Sequence, residues 1–143
     1  MTLHLIKLCV GVDSVEDLAR WQKGRLAELK KKKRPAELMH VTRAMPKRKD
    51  EVLDGGSLYW VIRCQIAARQ RILDLRPVTK NGRLHCGIVY DAQLVPVKRR
   101  HHRAFQGWRY FDPKDAPPDL RIPKGGKGLP EKLQAELVAL GLL

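Results

Sequence analysis

The sequence predicts a single α+β domain over residues 1–143, in which a curved, mostly antiparallel sheet or a small barrel is flanked by two or three helices. Residues 58–99 contain several segments in which apolar and polar residues alternate, which is the pattern expected for strands of one sheet. Stripes of apolar residues at helical spacing lie on both sides of that region. The length of 143 residues and the 43% hydrophobic content suit one globular domain.

The first third of the chain predicts a strand, a helix and a second strand. Residues 3–10 (LHLIKLCV) are almost wholly apolar, which is typical of a buried strand. Ser14 is a natural N-cap for a helix that continues to about Lys32, and Pro35 stops it. Residues 39–45 then predict a short strand, and residues 46–54 predict one or two helical turns.

Residues 55–75 (GGSLYWVIRCQIAARQRILDL) are the segment around which we expect the sheet to form. From Trp60 the hydrophobic pattern has period two, which predicts one strand with an apolar inner face and a cationic outer face. The inner positions are Trp60, Ile62, Cys64, Ile66 and Ala68; the outer positions are Arg63, Gln65, Ala67, Arg69 and Arg71. The period slips at Leu73, which predicts a β-bulge or bend there. An ordinary amphipathic strand with solvated arginines is the alternative.

The rest of the chain predicts a hairpin, an edge strand, a loop and a helix. Asn81-Gly82 is a strong hairpin signal, and residues 84–90 alternate after it. Pro96 places residues 93–99 at a sheet edge. Residues 112–128 are rich in proline and glycine, as surface loops are, and Pro130 begins a final helix.

The charge of the chain favours a polyanionic partner. The sequence has 29 Lys and Arg against 15 Asp and Glu, a formal net charge of +14. Much of the excess positive charge lies in two ranges, residues 30–34 and residues 58–103. The second range contains ten basic residues and only two acidic ones, Asp74 and Asp91. Nucleic acid is the first candidate partner and an anionic membrane surface is less favoured. A solvated helix end is the alternative reading of residues 30–34.

The cysteines and the hydropathy indicate a cytoplasmic protein. Cys9, Cys64 and Cys86 are far apart and form no C-x-x-C pair, so they predict neither a zinc ribbon nor a disulfide framework, and we expect buried, reduced thiols. The chain has no apolar run long enough for a transmembrane helix and no signal-peptide pattern.

A basic tract followed by aromatic residues is the clearest candidate for a binding surface. Residues 98–103 (KRRHHR) directly precede residues 104–111 (AFQGWRYF). Cations that contact phosphates and aromatic rings that stack on bases are what single-stranded nucleic acid requires. The alternative is that Phe105, Trp108, Tyr110 and Phe111 only fill a core.

Three runs resemble a family of small bacterial proteins known only as a domain of unknown function: GGSLYWVI (55–62), ARQRILDLRP (68–77) and RAFQGWRYFDPKDAPPDL (103–120). The resemblance spans nearly the whole chain and implies no activity. More weakly, MPKRKDEVLDGG (45–56) ahead of a bent strand is similar in order and shape to the PUA-like superfamily, including its ASCH and EVE branches. That resemblance implies a PUA-like barrel with an adjacent cleft for RNA or modified bases. Its cleft residues would be Arg43, Lys47, Arg48, Tyr59 and Trp60.

The leading functional prediction is therefore a small RNA-binding module without a cofactor or metal. Its candidate binding residues are Arg43, Lys47, Arg48, Tyr59, Arg63, Arg69, Arg71, Lys98, Arg99, Arg100, Arg103, Trp108 and Tyr110. Two other classes stay open: a small enzyme acting on a nucleotide-like or other anionic substrate, and a protein-interaction adaptor with an apolar patch around Trp108. No catalytic motif occurs, so no catalytic residue is assigned. The enzyme class would use Arg43, His85, Tyr90 and Asp91.

Overall fold

The computed structural model describes residues 2–120 and residue 135. In chain order its elements are β1 (His4–Leu8), α1 (Val15–Lys31), β2 (Leu38–Thr42), α2 (Lys49–Leu53), β3 (Ser57–Ile62), β4 (Gln65–Lys80), β5 (Arg83–Tyr90), β6 (Val95–His101), β7 (Trp108–Phe111) and a 3₁₀ turn (Pro113–Asp115). The helix predicted to begin at Pro130 lies outside the described residues. At the start of α1, Ser14 accepts a hydrogen bond from the Asp17 backbone N–H at 3.0 Å, which confirms the predicted N-cap.

The strands form one seven-stranded mixed sheet in the order β2-β5-β4-β3-β1-β7, with β6 also paired to β4. Only the β1–β3 pairing is parallel. The long strand β4 pairs with β3 and β6 through its first half and with β5 through its second half. The α+β class is confirmed, but the sheet is open, so the described residues do not form the barrel that was the alternative expectation.

Side chains link the two ends of this open sheet. The Trp108 indole N–H on β7 donates to the Ala44 carbonyl just after β2, at 2.8 Å. The Arg48 backbone N–H donates to the Tyr110 hydroxyl at 3.0 Å. The sheet therefore curves until β2 and β7 approach each other, although no ladder of backbone hydrogen bonds joins them among the described strands.

The single strand predicted through residues 60–68 is wrong, because the chain reverses at Arg63 and Cys64. Both residues have positive φ, 49° and 60°, as the central pair of a type I′ hairpin turn does. A register shift at Trp60/Val61 then pairs Trp60 with Ala68. The shift keeps these two residues on one face, but Ile66 pairs with Val61 and lies on the opposite face from Trp60, so the predicted inner face holds only in part.

The predicted bulge is confirmed. The pairing of β4 with β5 shifts register between Ile72 and Asp74, and the extra residue, Leu73, is 54% exposed. The bulge lies where β4 leaves β3 and begins to pair with β5, so it marks the bend that the phase slip predicted.

Hydrophobic residues are buried on both faces of the sheet. The inner core, which includes Leu5, Trp60 and Ile88, packs against α1 through residues such as Leu18. The outer core is a second cluster of buried side chains: Ile6, Tyr59, Val61, Ile66, Val97 and Phe111. The face predicted to be cationic and solvated is therefore largely apolar, because the reversal at residues 63–64 puts Ile66 on the side of Val61.

A buried amide pair ties α1 to β4. The side chains of Gln22 and Gln70 donate to each other at 2.8 and 2.7 Å. Gln70 also accepts from the Trp60 indole N–H at 2.9 Å and donates to the Asp91 carbonyl at 2.9 Å. Both glutamines are buried, and these bonds satisfy their amides away from water.

Candidate nucleic-acid interface

A polar cleft of about 660 Å³ lies where the end of β2 meets the β4–β5 hairpin and the loop before β7. The end of β2 supplies Val41, Thr42 and Arg43, the hairpin supplies Lys80, Asn81 and His85, and the loop supplies Gln106 and Gly107. The hairpin is the predicted one, with positive φ at Asn81 (53°) and Gly82 (74°). This turn brings Lys80 and His85 to the cleft because β5 pairs with both β4 and β2.

The cleft is cationic. Of the described residues that line it, Arg43 and Lys80 are positively charged and none is acidic. Within residues 2–120, neither of these two cations forms an ion pair. By contrast, Arg76 on the same β4–β5 unit pairs with Glu37 and Asp74, each at 2.7 Å. No nearby carboxylate of the described residues neutralises the positive charge of the cleft, whereas Glu37 and Asp74 neutralise that of Arg76.

Two aromatic side chains lie beside the cleft. Trp108 and Tyr110 pack edge to face, with ring centroids 4.9 Å apart. The Trp108 indole holds the Ala44 carbonyl, one residue from Arg43. The Arg48 guanidinium lies 5.7 Å from the centre of the Tyr110 ring and binds Glu51 at 2.8 Å. Tyr110 is 36% exposed, whereas Trp108 is partly buried against the inner core.

The structure therefore brings together one subset of the predicted binding residues. The members of this subset are Arg43, Lys47, Arg48, Trp108 and Tyr110. The first three occupy one segment after β2, and the last two hold that segment through side-chain hydrogen bonds. Lys47 is exposed within this segment.

The predicted residues of the bent strand do not join this subset. Arg63 lies at the hairpin turn and contacts Asp13 at 3.4 Å. Arg69 is held by both carboxylate oxygens of Asp119 at 2.7 Å, which leaves only 26% of its side chain exposed. Arg71 is exposed on β4. Tyr59 is only 4% exposed in the outer core, so its ring offers no face for stacking in this conformation.

The basic tract lies at another edge of the sheet. Residues 98–101 of the tract belong to β6, which pairs with β4, whereas Trp108 and Tyr110 belong to β7 beyond β3 and β1. The Arg99 guanidinium donates to the Ala67 carbonyl, and that of Arg100 donates to the Asp115 carbonyl. Lys98 and Arg103 are exposed. The basic tract and the aromatic residues are adjacent in sequence but lie on two different surfaces. They are separated because the loop over residues 102–107 crosses the end of the sheet at the β3–β4 turn.

The residues named for an enzyme do not converge. Arg43 and His85 share the cleft, but Tyr90 and Asp91 lie at the other end of β5 beside a different cavity. Burial raises the pKa of Tyr90 to about 12. Among the described residues no cluster of three or more His, Cys, Asp or Glu side chains could hold a metal ion. Cys86 is buried and Cys9 partly so, but Cys64 is exposed at the turn, so the expectation of buried thiols fails there.

Sequence reasoning missed Lys80, Asn81 and Gln106 as cleft residues. Asn81 was recognised only as a turn residue, and Lys80 directly precedes it. The pairing of β2 with β5 brings them to Arg43, and nothing in the local pattern predicts that pairing.

A family model described as a protein of unknown function, DUF1489, matches residues 5–143, and the chain belongs to this family. The predicted resemblance to an uncharacterised family is thereby confirmed. No curated protein and no solved structure matches the chain. No helix in the described part of the chain combines the length and apolar character needed to cross a membrane.

Proposed function

We propose that this DUF1489 protein binds nucleic acid, with single-stranded RNA favoured, through the cationic cleft at Arg43 and Lys80. The single observation that supports it best is a polar cleft with two cations and no acidic lining among the described residues. In a chain with a formal net charge of +14, such a cleft concentrates positive potential where a phosphate backbone can enter.

The neighbouring aromatic pair favours a single strand over a duplex. Bases of a single strand are free to stack on exposed aromatic rings, whereas those of a duplex are stacked on each other. Tyr110 keeps 36% of its surface exposed beside Arg48, so it is the ring available for such stacking. The proposal includes a cytoplasmic location, where an exposed thiol such as Cys64 stays reduced.

The basic tract has a secondary role in this proposal. Lys98 and Arg103 extend the positive surface along β6, and we assign them contacts with the flanking backbone of a longer strand. Arg99 and Arg100 are unsuitable for a test because both guanidinium groups hold backbone carbonyls of the fold. Replacing them would change structure and binding together.

The test is the affinity of a labelled single-stranded RNA for the protein, measured by fluorescence anisotropy at low salt. The cleft variant Arg43→Ala/Lys80→Ala should bind about tenfold or more weakly, since it loses two phosphate contacts. The variant Lys98→Ala/Arg103→Ala should lose less affinity for a short RNA than for a long one. An RNA duplex of equal length should bind the wild type more weakly than the single strand.

A matched control separates the cleft from net charge. Lys23→Ala/Lys31→Ala removes two exposed cations from α1, so it lowers the formal charge by the same amount. The proposal expects its affinity to stay within about twofold of the wild type. Equal losses in the cleft and control variants would mean that the cleft has no special role, and no binding by the wild type would refute RNA as the ligand.

A further inference from the structure

A further cavity, which His40 of β2 lines, differs in chemistry from the cationic cleft. It encloses about 330 Å³ between the end of β1, the loop over residues 9–12, the first half of α1 and the centre of the sheet. This volume is at the lower end of the range for small-molecule sites. Strand β2 contributes His40 to this cavity and Val41 and Thr42 to the cleft, so both sites adjoin β2 but share no lining residue.

Four aromatic side chains line the cavity: Trp21, His40, Trp60 and Tyr90. Trp60 packs edge to face against His40, with centroids 6.0 Å apart, and against Tyr90, with centroids 5.8 Å apart. The Trp60 indole N–H donates to the Gln70 side-chain oxygen at 2.9 Å, so its polar atom is satisfied within the core. Trp60 and Tyr90 are only 3% and 4% exposed, so they form the floor of the cavity.

The mouth of the cavity exposes apolar surface. Trp21 on α1 lines it and remains 55% exposed, although the helix buries its neighbours Leu18 and Gln22. Val10 on the adjoining loop is 82% exposed. A flat apolar ligand in the cavity would cover part of the Trp21 ring and so bury additional apolar area.

One positive charge faces this apolar space. Lys7 on β1 lines the cavity, and none of the described lining residues is acidic. Lys7 is partly buried and forms no ion pair within residues 2–120, and this burial lowers the pKa of its ammonium group. Burial also raises the pKa of the Cys9 thiol to about 11, so that neighbour is neutral near pH 7. A partly buried cation without an anion is costly, and an anionic ligand would relieve that cost.

We infer that this cavity binds a small planar aromatic anion, whose ring lies against the exposed Trp21 above a floor of Trp60 and Tyr90 and whose carboxylate or phosphate meets Lys7. The inference is independent of RNA binding, because it uses none of the cleft residues. Aromatic walls set the preference for a flat ring, and the single ammonium group sets the preference for charge.

The test uses isothermal titration calorimetry with three probes: indole-3-carboxylate, phenyl phosphate and the uncharged indole-3-carboxamide. Wild-type protein should bind at least one of the two anions about tenfold or more tightly than the carboxamide, as expected for a charge-assisted contact. Lys7→Met should abolish this preference while retaining weak binding of the rings. Trp21→Ala, at an exposed position, should weaken every probe that binds.

The matched control is Lys80→Met, the same substitution in the neighbouring cleft, which should leave all three affinities unchanged. Thermal melting of each variant verifies that it is folded. The inference is overturned if the wild type binds neither anion, or if the preference for an anion survives in Lys7→Met. Whichever anion binds with Lys7 dependence identifies the charged group as carboxylate or phosphate.

Discussion

Lowering the pH from 7 to 5 should destabilise the fold through His40. This side chain lies on β2, packs edge to face on Trp60 and has a pKa lowered from 6.5 to about 4. Burial is the main cause, followed by repulsion from Lys7 and Lys80. Because the folded-state pKa is below the unfolded one, the unfolded chain takes up the proton first as the pH falls. Stability is therefore full above about pH 6.5 and declines down to about pH 4.

The size of this loss follows from the two pKa values of His40. A difference between 6.5 and about 4 corresponds to roughly 3 kcal/mol at most when the pH is below both values. At pH 5 the titration is incomplete, which limits the loss to about 2 kcal/mol. The imidazole is only partly buried, so solvent screening reduces the expected loss to about 1 kcal/mol.

The assay is urea denaturation of the wild type and of His40→Phe at pH 7 and at pH 5. Carboxylates, and His4, whose pKa burial also lowers, titrate in both proteins, so they cancel in the comparison. The wild type should lose about 1 kcal/mol more than His40→Phe between the two pH values. An equal loss in both proteins would refute the reasoning, since it would mean that His40 is solvated in the folded state.

Three further predictions concern the free energy of unfolding and are measured by the same urea titration. Replacing Gln70, whose buried amide makes several hydrogen bonds, by leucine should cost roughly 2–4 kcal/mol, because its partners stay buried and unsatisfied. Gly56→Ala should cost about 2 kcal/mol or more, since its Cβ would lie 2.2 and 2.3 Å from two backbone carbonyl oxygens. Gly87→Ala should cost about half as much, because side-chain atoms of Met39 and Val78 face it instead of backbone. Changing the turn Arg63-Cys64 to Asn-Gly should add about 1 kcal/mol, because both positions have positive φ.

Local signals in the sequence predicted most elements but missed one reversal of the chain. Three of these signals depend only on neighbouring residues, so the sequence alone reveals them: the N-cap Ser14, the Asn81-Gly82 turn and the phase slip near Leu73. The turn at residues 63–64 lacks the asparagine or glycine that normally marks it. Its I′ geometry is imposed by the pairing of β3 with β4, which is not a local property.

The sequence predicted only part of the candidate site, because strand pairing rather than local sequence positions its other residues. Arg43 and Lys47 were identified through a resemblance and Trp108 through its aromatic context, but Lys80 carries no local mark of function. Its place in the cleft depends on the pairing of β2 with β5 and on the curvature that brings β7 near β2. Arg69 was predicted to be available for binding, but Asp119, fifty residues away in the sequence, neutralises its charge.

The salt dependence of RNA binding is the most direct test of the cleft as a phosphate-binding site. For a single strand, log Kd should rise with log salt concentration by about 0.7 for each phosphate contact. If Arg43 and Lys80 contact phosphates, Arg43→Ala/Lys80→Ala should lower the wild-type slope by about 1.4, the value of two contacts, while Lys23→Ala/Lys31→Ala should leave it unchanged. A cleft variant with the wild-type slope, or a wild type whose affinity does not respond to salt, would contradict it.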